Sequence, residues 1–398
     1  MANPDFRKRS LALPIYLPSF LFTAAEGLLL PILPVSATNF GQSLASAAIV
    51  TTLLMIGTFV FEIPASWIVN QLGERRSMIL ASVMGFGLTS LAFFSASYLL
   101  LLMAAFGFGA AHSLFGLSRH SLLAEIVPGH HRPKSMSLLG GMFRGGTAVG
   151  PVIGAGAIAI FGLDSAYLAA GVICLLAGAA VLASPAKALK SSPSGLEGNI
   201  LRVARRESKK LLTLGIASAI ISAGRTIRLI GLPLLAIHLG IDAATSSFIF
   251  GITGFVDFAL FYLSGIIMDR YGKFWSSVPT LLALGVIYLF SFMVQDLFTF
   301  WLMATVSALA NAASAGINMI LGADLAPKGS RNEFLAAFRL LTSGGVVVAP
   351  ALISGLTALA GLPAALALTG LINFYGAFLF WKYLPIYSPD SKGKRQVD

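Results

Sequence analysis

The sequence predicts an all-α polytopic membrane protein, with twelve transmembrane helices in two pseudo-symmetric six-helix bundles. Three observations carry this. Of 398 residues, 57% are hydrophobic and only 11% charged, with a mean hydropathy of +0.85, whereas a soluble domain is about a quarter charged. Apolar runs of roughly 20 residues, enough to cross a bilayer, recur along the whole chain. The two halves also repeat each other at one fixed spacing.

The apolar runs begin near Leu11, Leu44, Ser77, Tyr98, Ser135 and Asp164, then near Leu211, Thr245, Ser276, Leu297, Asn332 and Gly361. The first is too long for a signal-peptide core and lacks a small-residue cleavage site after it, so it reads as a membrane span. Lys and Arg number 27 against 16 Asp and Glu, a net charge of +11. Apart from those within spans, these cations fall in alternate connections rather than on one soluble face, which argues against nucleic-acid binding. The connections on one side of the membrane hold only Asp164, Asp242 and Asp296 as charges. Arg7, Lys8, Arg9, Arg75, Arg76, Arg132, Lys134, Arg270, Lys273, Lys328, Arg331 and the stretch 392–395 lie on the other. Both termini are therefore expected in the cytoplasm. The single cysteine, Cys174, lies in an apolar span, so neither a disulfide nor a cysteine metal site is available, and no metal is expected.

Residues 185–210, PAKALKSSPSGLEGNILRVARRESKK, are the one long polar and basic segment, read as a linker between an amino-terminal bundle, 1–184, and a carboxy-terminal bundle with its tail, 211–398. The second part of the linker reads either as an amphipathic helix on an anionic leaflet or as a solvated loop that sets topology. The repeat is exact in several places. Gly73 matches Gly272, and 272 − 73 = 199; Glu125, Pro128 and Arg132 match Asp324, Pro327 and Arg331; Pro151 matches Pro350, and Pro34 matches Pro233, all at the same offset. Two related bundles with a path between them follow.

Within the fifth run, GGMFRGGTAVGPVIGAG places Gly146, Gly150 and Gly154 on one helical face, where another backbone can approach closely. Pro151 is expected to bend or loosen that helix. Arg144 is a cation inside hydrocarbon and needs a partner or a task.

The cytoplasmic turn after the second span of each half and the glycine pattern of the fifth span together resemble the major facilitator superfamily over nearly the whole chain. In the second turn Gly265, Asp269, Arg270, Gly272 and Lys273 follow the family pattern. The first copy, with Asn70, Gly73, Glu74, Arg75 and Arg76, is degenerate and has lost the aspartate. Such turns latch the cytoplasmic face through a tight glycine bend and charge-assisted bonds to helix ends. Gly146, Gly150, Pro151 and Gly154 resemble the fifth-helix signature of the drug/proton antiporter branch, and a plain packing face is the other reading. Many such antiporters also carry an arginine before a GxG in the fourth helix; this chain has Met103 before Gly107 and Gly109.

Ionisable residues within spans are functional candidates by default. Arg144 stands 12 residues in from Arg132 and Asp257 stands 12 residues in from Asp269, both about 18 Å deep. Glu62 and Arg339 each stand 8 residues in, from Asn70 and Arg331, about 12 Å deep. The superfamily fold packs helix five on helix eight and helix two on helix eleven. The resemblance therefore implies ion pairs Arg144–Asp257 and Glu62–Arg339 between the bundles, either static or broken when a carboxylate takes a proton. Glu26 and Arg225 are repeat mates on helices one and seven, which line the cavity in this fold. Arg225 and Arg228 share a helical face suited to an anionic group. Glu26 suits a cation or the transported proton, and becomes structural if Arg225 reaches it. His112, near mid-span, is either a proton relay or a packing residue, and Arg119 lies nearer a helix end. Aromatics such as Phe22 and Phe40 are candidates for a polyspecific pocket.

The expected function is secondary transport, not enzymatic catalysis. The leading form is proton-coupled efflux of small amphipathic compounds by alternating access, with Glu26, Glu62 and Asp257 as proton sites. A small organic anion taken up or exchanged is the alternative, with Glu26, His112, Arg225 and Arg228 at the cavity. A non-transporting receptor is the reading from another class. No cofactor is expected beyond a proton gradient. The partners are a small-molecule substrate and the lipid bilayer, for a monomer in a bacterial inner membrane.

Overall fold

The computed structural model describes residues 11–127, 132–184, 200–327 and 330–388. Among these, eleven helices are long and apolar enough to cross a membrane, and a bent pair, Leu44–Val60 with Glu62–Leu72 at 49°, makes a twelfth span. The spans of the first half are Ala12–Asn39, the bent pair, Glu74–Phe93, Tyr98–Leu123, Ser135–Phe161 and Ser165–Ala183. Those of the second are Ser208–His238, Ala243–Tyr271, Lys273–Met293, Leu297–Leu325, Glu333–Ala360 and Leu362–Tyr387. No strand occurs among the described residues.

The repeat is written into the backbone. Among the described residues seven glycines adopt positive φ, and six form pairs 199 residues apart: Gly41 with Gly240, Gly73 with Gly272, and Gly162 with Gly361. Each lies at or just beyond the end of a span, where a positive φ, strained for any residue with a side chain, turns the chain sharply. The first and seventh spans also start alike, in π-helical turns at Ala12–Tyr16 and Leu211–Gly215. Asp242 and Asp296 cap the starts of the eighth and tenth spans, accepting hydrogen bonds from the amides of Thr245 and Thr299. Those bonds hold both carboxyls below the usual carboxylate range.

Two breaks violate the repeat. The second span bends between Val60 and Glu62 because the Pro64 ring lacks an N–H and collides with the carbonyl four residues back. Its repeat mate is Leu263, and the eighth span runs unbroken. The tenth span breaks at Ser314–Gly316, between helices Leu297–Ala313 and Ile317–Leu325, where Gly316 has φ +82°. The mate of Gly316 is Leu117, and the fourth span is one helix.

The fifth span runs through Pro151 as one continuous helix. The proline deprives the Thr147 carbonyl of its partner, and that carbonyl lies against Gly27 of the first span, within 2.9 Å of where a Cβ would stand. The glycine face packs on the first span as well. A methyl at Gly146 would meet the Phe20 carbonyl, and one at Gly150 would overlap the Ala24 carbonyl. The second half keeps only the first of these approaches, Gly345 against the Ala219 carbonyl, since the mate of Gly150 is Ala349.

By internal contacts the chain forms two compact units, residues 1–193 with 241–255, and residues 194–240 with 256–398. The start of the eighth span belongs to the first unit, where Gly251 and Gly254 lie against Val152 and Ala148 of the fifth. In the second unit Phe334, Phe338, Phe380, Leu214 and Leu281 form the heart of a buried apolar core. Residues 185–199 of the expected linker, and the tail from 389, lie outside the described residues.

Candidate functional site

In the first unit a charged cluster is buried among apolar helices. Glu26 on the first span and His112 on the fourth are in contact, with Oε2 and Nδ1 3.2 Å apart, though without the alignment of a hydrogen bond. Arg119 stands seven residues beyond His112, two turns along the same face. It is only 4% exposed. Its guanidinium lies 5.5 Å from the centre of the Phe143 ring, a cation–π contact. Phe143 also sets its edge toward His112. The Arg119 charge acts on both Glu26 and His112. Its Nε and Nη1 have no hydrogen-bond partner, an expensive state for a buried cation unless a ligand or a neighbouring carboxylate offsets it. Phe22 stacks on Phe115 at 4.2 Å and on Phe108 at 5.8 Å; being fully buried, it forms a wall behind the cluster rather than an open pocket face.

The second unit uses its arginine differently. Arg225 of the seventh span donates to the backbone carbonyl and, at 3.0 Å, to the hydroxyl of Ser314, at the break in the tenth span. Other donors close the same gap: Thr280 bonds the carbonyl of Ala310, Ser276 that of Ala313 and Ser264 that of Ala315. A broken helix leaves carbonyls without intrahelical partners, and here three helices supply hydroxyls and a cation to them. Arg228 is buried one turn on. Asp257 is buried and accepts a bond from Asn311 Nδ2 at 2.9 Å. Asn318, farther along, donates to the Ser222 hydroxyl at 2.9 Å.

The remaining expected residues fall as follows. Arg144 is half-buried in the fifth span, while Glu62 and Arg339 are exposed. Arg75 donates to the carbonyls of Val181 and Leu182, capping the end of the sixth span. Arg76, Asn70, Asp269 and Arg270 are exposed, and Arg270 lies over the Tyr271 ring. Lys273 pairs with Asp324 and donates to Ser388, joining the ninth span to the ends of the tenth and twelfth. Gly73 and Gly272 make the left-handed turns and Gly265 stays helical. Among the described residues no group of three or more His, Cys, Asp or Glu could hold a metal.

Arg119 is among the charges noted within spans but has no expected role, and Asn311 and Ser314 are not among the expected site residues. The repeat carries the missing signal: His112 and Arg119 are the mates of Asn311 and Asn318 at the same 199-residue offset, so both fourth-type spans carry polar groups at the same two positions.

A family model described as Major Facilitator Superfamily matches residues 15–213 and again 214–398. The chain belongs to the Major Facilitator Superfamily. Its fold is similar to that of a bacterial homolog of the human lysosomal transporter Spinster in an inward-facing, unoccupied conformation, with 13% identity over 98% of this chain and 99% of that one and a TM-score of 0.76. It is likewise similar to a D-xylose–proton symporter, with 16% identity, 97% and 99% coverage and a TM-score of 0.73. A POT family transporter in complex with 5-aminolevulinic acid matches with 11% identity, 96% and 97% coverage and a TM-score of 0.79. At such identities the likeness is one of fold. As a Major Facilitator Superfamily member the chain is a membrane-embedded secondary transporter, not an enzyme. It moves a small-molecule substrate by alternating access.

Proposed function

We propose that this transporter exports small amphipathic compounds in exchange for protons, and that Glu26 carries the proton. The observation that carries the reading is the buried trio Glu26, His112 and Arg119. A carboxylate there is balanced by the Arg119 guanidinium, and adding a proton to Glu26 leaves that cation without its counter-charge. A cationic compound competes with the proton at Glu26, which couples outward movement of one to inward movement of the other. Arg225 serves in this scheme to hold the tenth span rather than to bind substrate. Glu62 and Asp257 are further candidate proton sites, and the pairs Arg144–Asp257 and Glu62–Arg339, with the turns at Gly73 and Gly272, are proposed to hold one state closed. The proposed setting is a bacterial inner membrane with both termini cytoplasmic, the proton gradient supplying the energy to a monomer without a cofactor.

A second reading, transport of a small organic anion, is favoured by the two unpartnered nitrogens of Arg119. An anion binds at Arg119 best when Glu26 is protonated, so proton and anion move together rather than in exchange. Proteoliposomes assayed against cationic, neutral and anionic compounds, with a pH indicator inside, separate the two. The export reading expects proton entry with cation efflux. Co-movement of protons with an anion replaces it by the second reading, and transport of every compound that ignores the gradient defeats both.

A further inference from the structure

Residues Ile200–Arg206 form a helix that leads through Ser208–Lys210 directly into the seventh span. Its two faces differ in kind. Val203 and Ala204 pack on the apolar core of the second unit. Lys210 pairs with Glu207 at 2.9 Å and donates to the Leu325 carbonyl. That face is therefore docked. On the other, Leu201, Arg202, Arg205, Arg206 and Lys209 are exposed, with Arg206 also 3.8 Å from the Glu207 carboxylate; positions 202, 205 and 206 follow the three- and four-residue spacing of one helical face, and Lys209 comes two residues past the turn at Glu207.

A docked element thus holds four cations in one outward cluster. Three kinds of partner fit a basic face: nucleic acid, an acidic protein, or an anionic membrane surface. Position decides among them. The cluster ends at Lys209, in the first turn of the seventh span and two residues before its π-helical turn at Leu211, and the helical rise places all four cations within about 15 Å of Leu211. Lipid headgroups occupy that band. Leu201 is 81% exposed beside the cations and Leu212 is 62% exposed just beyond them; apolar side chains interleaved with arginines suit an interfacial helix better than a soluble partner. Long basic side chains reach headgroups while their stems stay on apolar surface.

We propose that the face formed by Arg202, Arg205, Arg206 and Lys209 binds the anionic phospholipid headgroups of the leaflet that the seventh span enters. The helix then ties the second unit to the membrane surface electrostatically, independently of which substrate is carried.

The test titrates the detergent-solubilised full chain with phosphatidylglycerol or phosphatidylcholine and reads bound lipid by native mass spectrometry. The expected result is preferential retention of phosphatidylglycerol that weakens at high salt. Each neutralisation should weaken retention by roughly fivefold, and the fourfold variant Arg202→Gln/Arg205→Gln/Arg206→Gln/Lys209→Gln by at least about a hundredfold. Its melting temperature should fall by only a few degrees, because the Arg206–Glu207 pair it breaks is a surface one. A charge-keeping variant, Arg202→Lys/Arg205→Lys/Arg206→Lys, should retain the lipid. Unchanged phosphatidylglycerol binding by the fourfold variant overturns the proposal. So does equal displacement of the lipid by inorganic phosphate, which would mark a site for free anions, or a preference that survives high salt undiminished.

Discussion

The fourth and tenth spans occupy the same place in the repeat and have diverged in opposite directions. The fourth is one unbroken helix, so His112 and Arg119 keep their register and present a titratable group and a cation to Glu26. The tenth is broken at Ser314–Gly316, and the mate of Glu26, Arg225, is used to satisfy the carbonyls that the break exposes. The repeat places polar residues at equivalent positions in both spans. One became a charge cluster with unpartnered nitrogens, and the other a hydrogen-bonded splice. The turns after the second and eighth spans diverge in the same way: Lys273 meets Asp324, while their mates are the two carboxylates Glu74 and Glu125.

The largest effects should come from the first-to-fifth-span packing. Gly150→Leu forces a side chain into the Ala24 carbonyl, and should cost about 3 kcal/mol or more, or abolish folding. Ala349→Leu at the equivalent place in the second half should cost less, because a Cβ already fits there. Thermal unfolding in detergent compares them, and equal losses would mean that the two packings do not differ.

Next come the two arginines. Arg225→Ala leaves the Ser314 carbonyl without its charged donor, and should destabilise by about 1.5–3 kcal/mol. Arg119→Ala removes a guanidinium with two unpartnered nitrogens, so it should lose less stability while losing transport. Melting temperatures and flux measured on both variants give the comparison. If Arg119→Ala is the less stable protein, the contrast between cluster and splice is wrong.

Smallest is the carboxylate pair. Glu125 lies beyond Leu123, where the fourth span ends, and burial together with the Glu74 charge raises its carboxyl above the usual range. A group that binds its proton more tightly when folded stabilises the protein below the ordinary carboxylate pKa, and that contribution is lost as pH rises through the raised value. Glu74→Lys should remove this loss and recreate the pairing of Lys273 with Asp324, for a gain of about 0.5 kcal/mol at neutral pH. Unfolding followed from pH 4 to 8, roughly the range where carboxyls titrate, reads the difference. A pH profile identical to the parent would separate Glu125 from Glu74.

Much of the architecture was legible in the sequence because hydropathy and repeat spacing are one-dimensional signals. The starts of all twelve spans agree with the apolar runs to within three residues, and Gly73 and Gly272 turn the chain where the motif placed them. Pro64 was a readable cause of the second-span bend. The site was less legible for a geometric reason. Counting residues from a turn gives depth along a helix but not the direction a side chain faces, and that direction is what joins Arg119 to Glu26 and Arg225 to Ser314. The glycines of the fifth span showed that a backbone would come close, but not that it belongs to the first span. The break at Gly316 had a local mark, a glycine facing a leucine in the repeat, though glycine is common within membrane helices.

The central claim is that Glu26 carries the proton, and Glu26→Gln tests it most directly because the amide keeps the shape and cannot take up charge. In proteoliposomes, exchange of substrate across the membrane without a gradient should persist in this variant, while accumulation driven by a proton gradient should disappear. Gradient-driven accumulation equal to the parent would contradict the claim, and would move the coupling site away from the Glu26, His112 and Arg119 cluster.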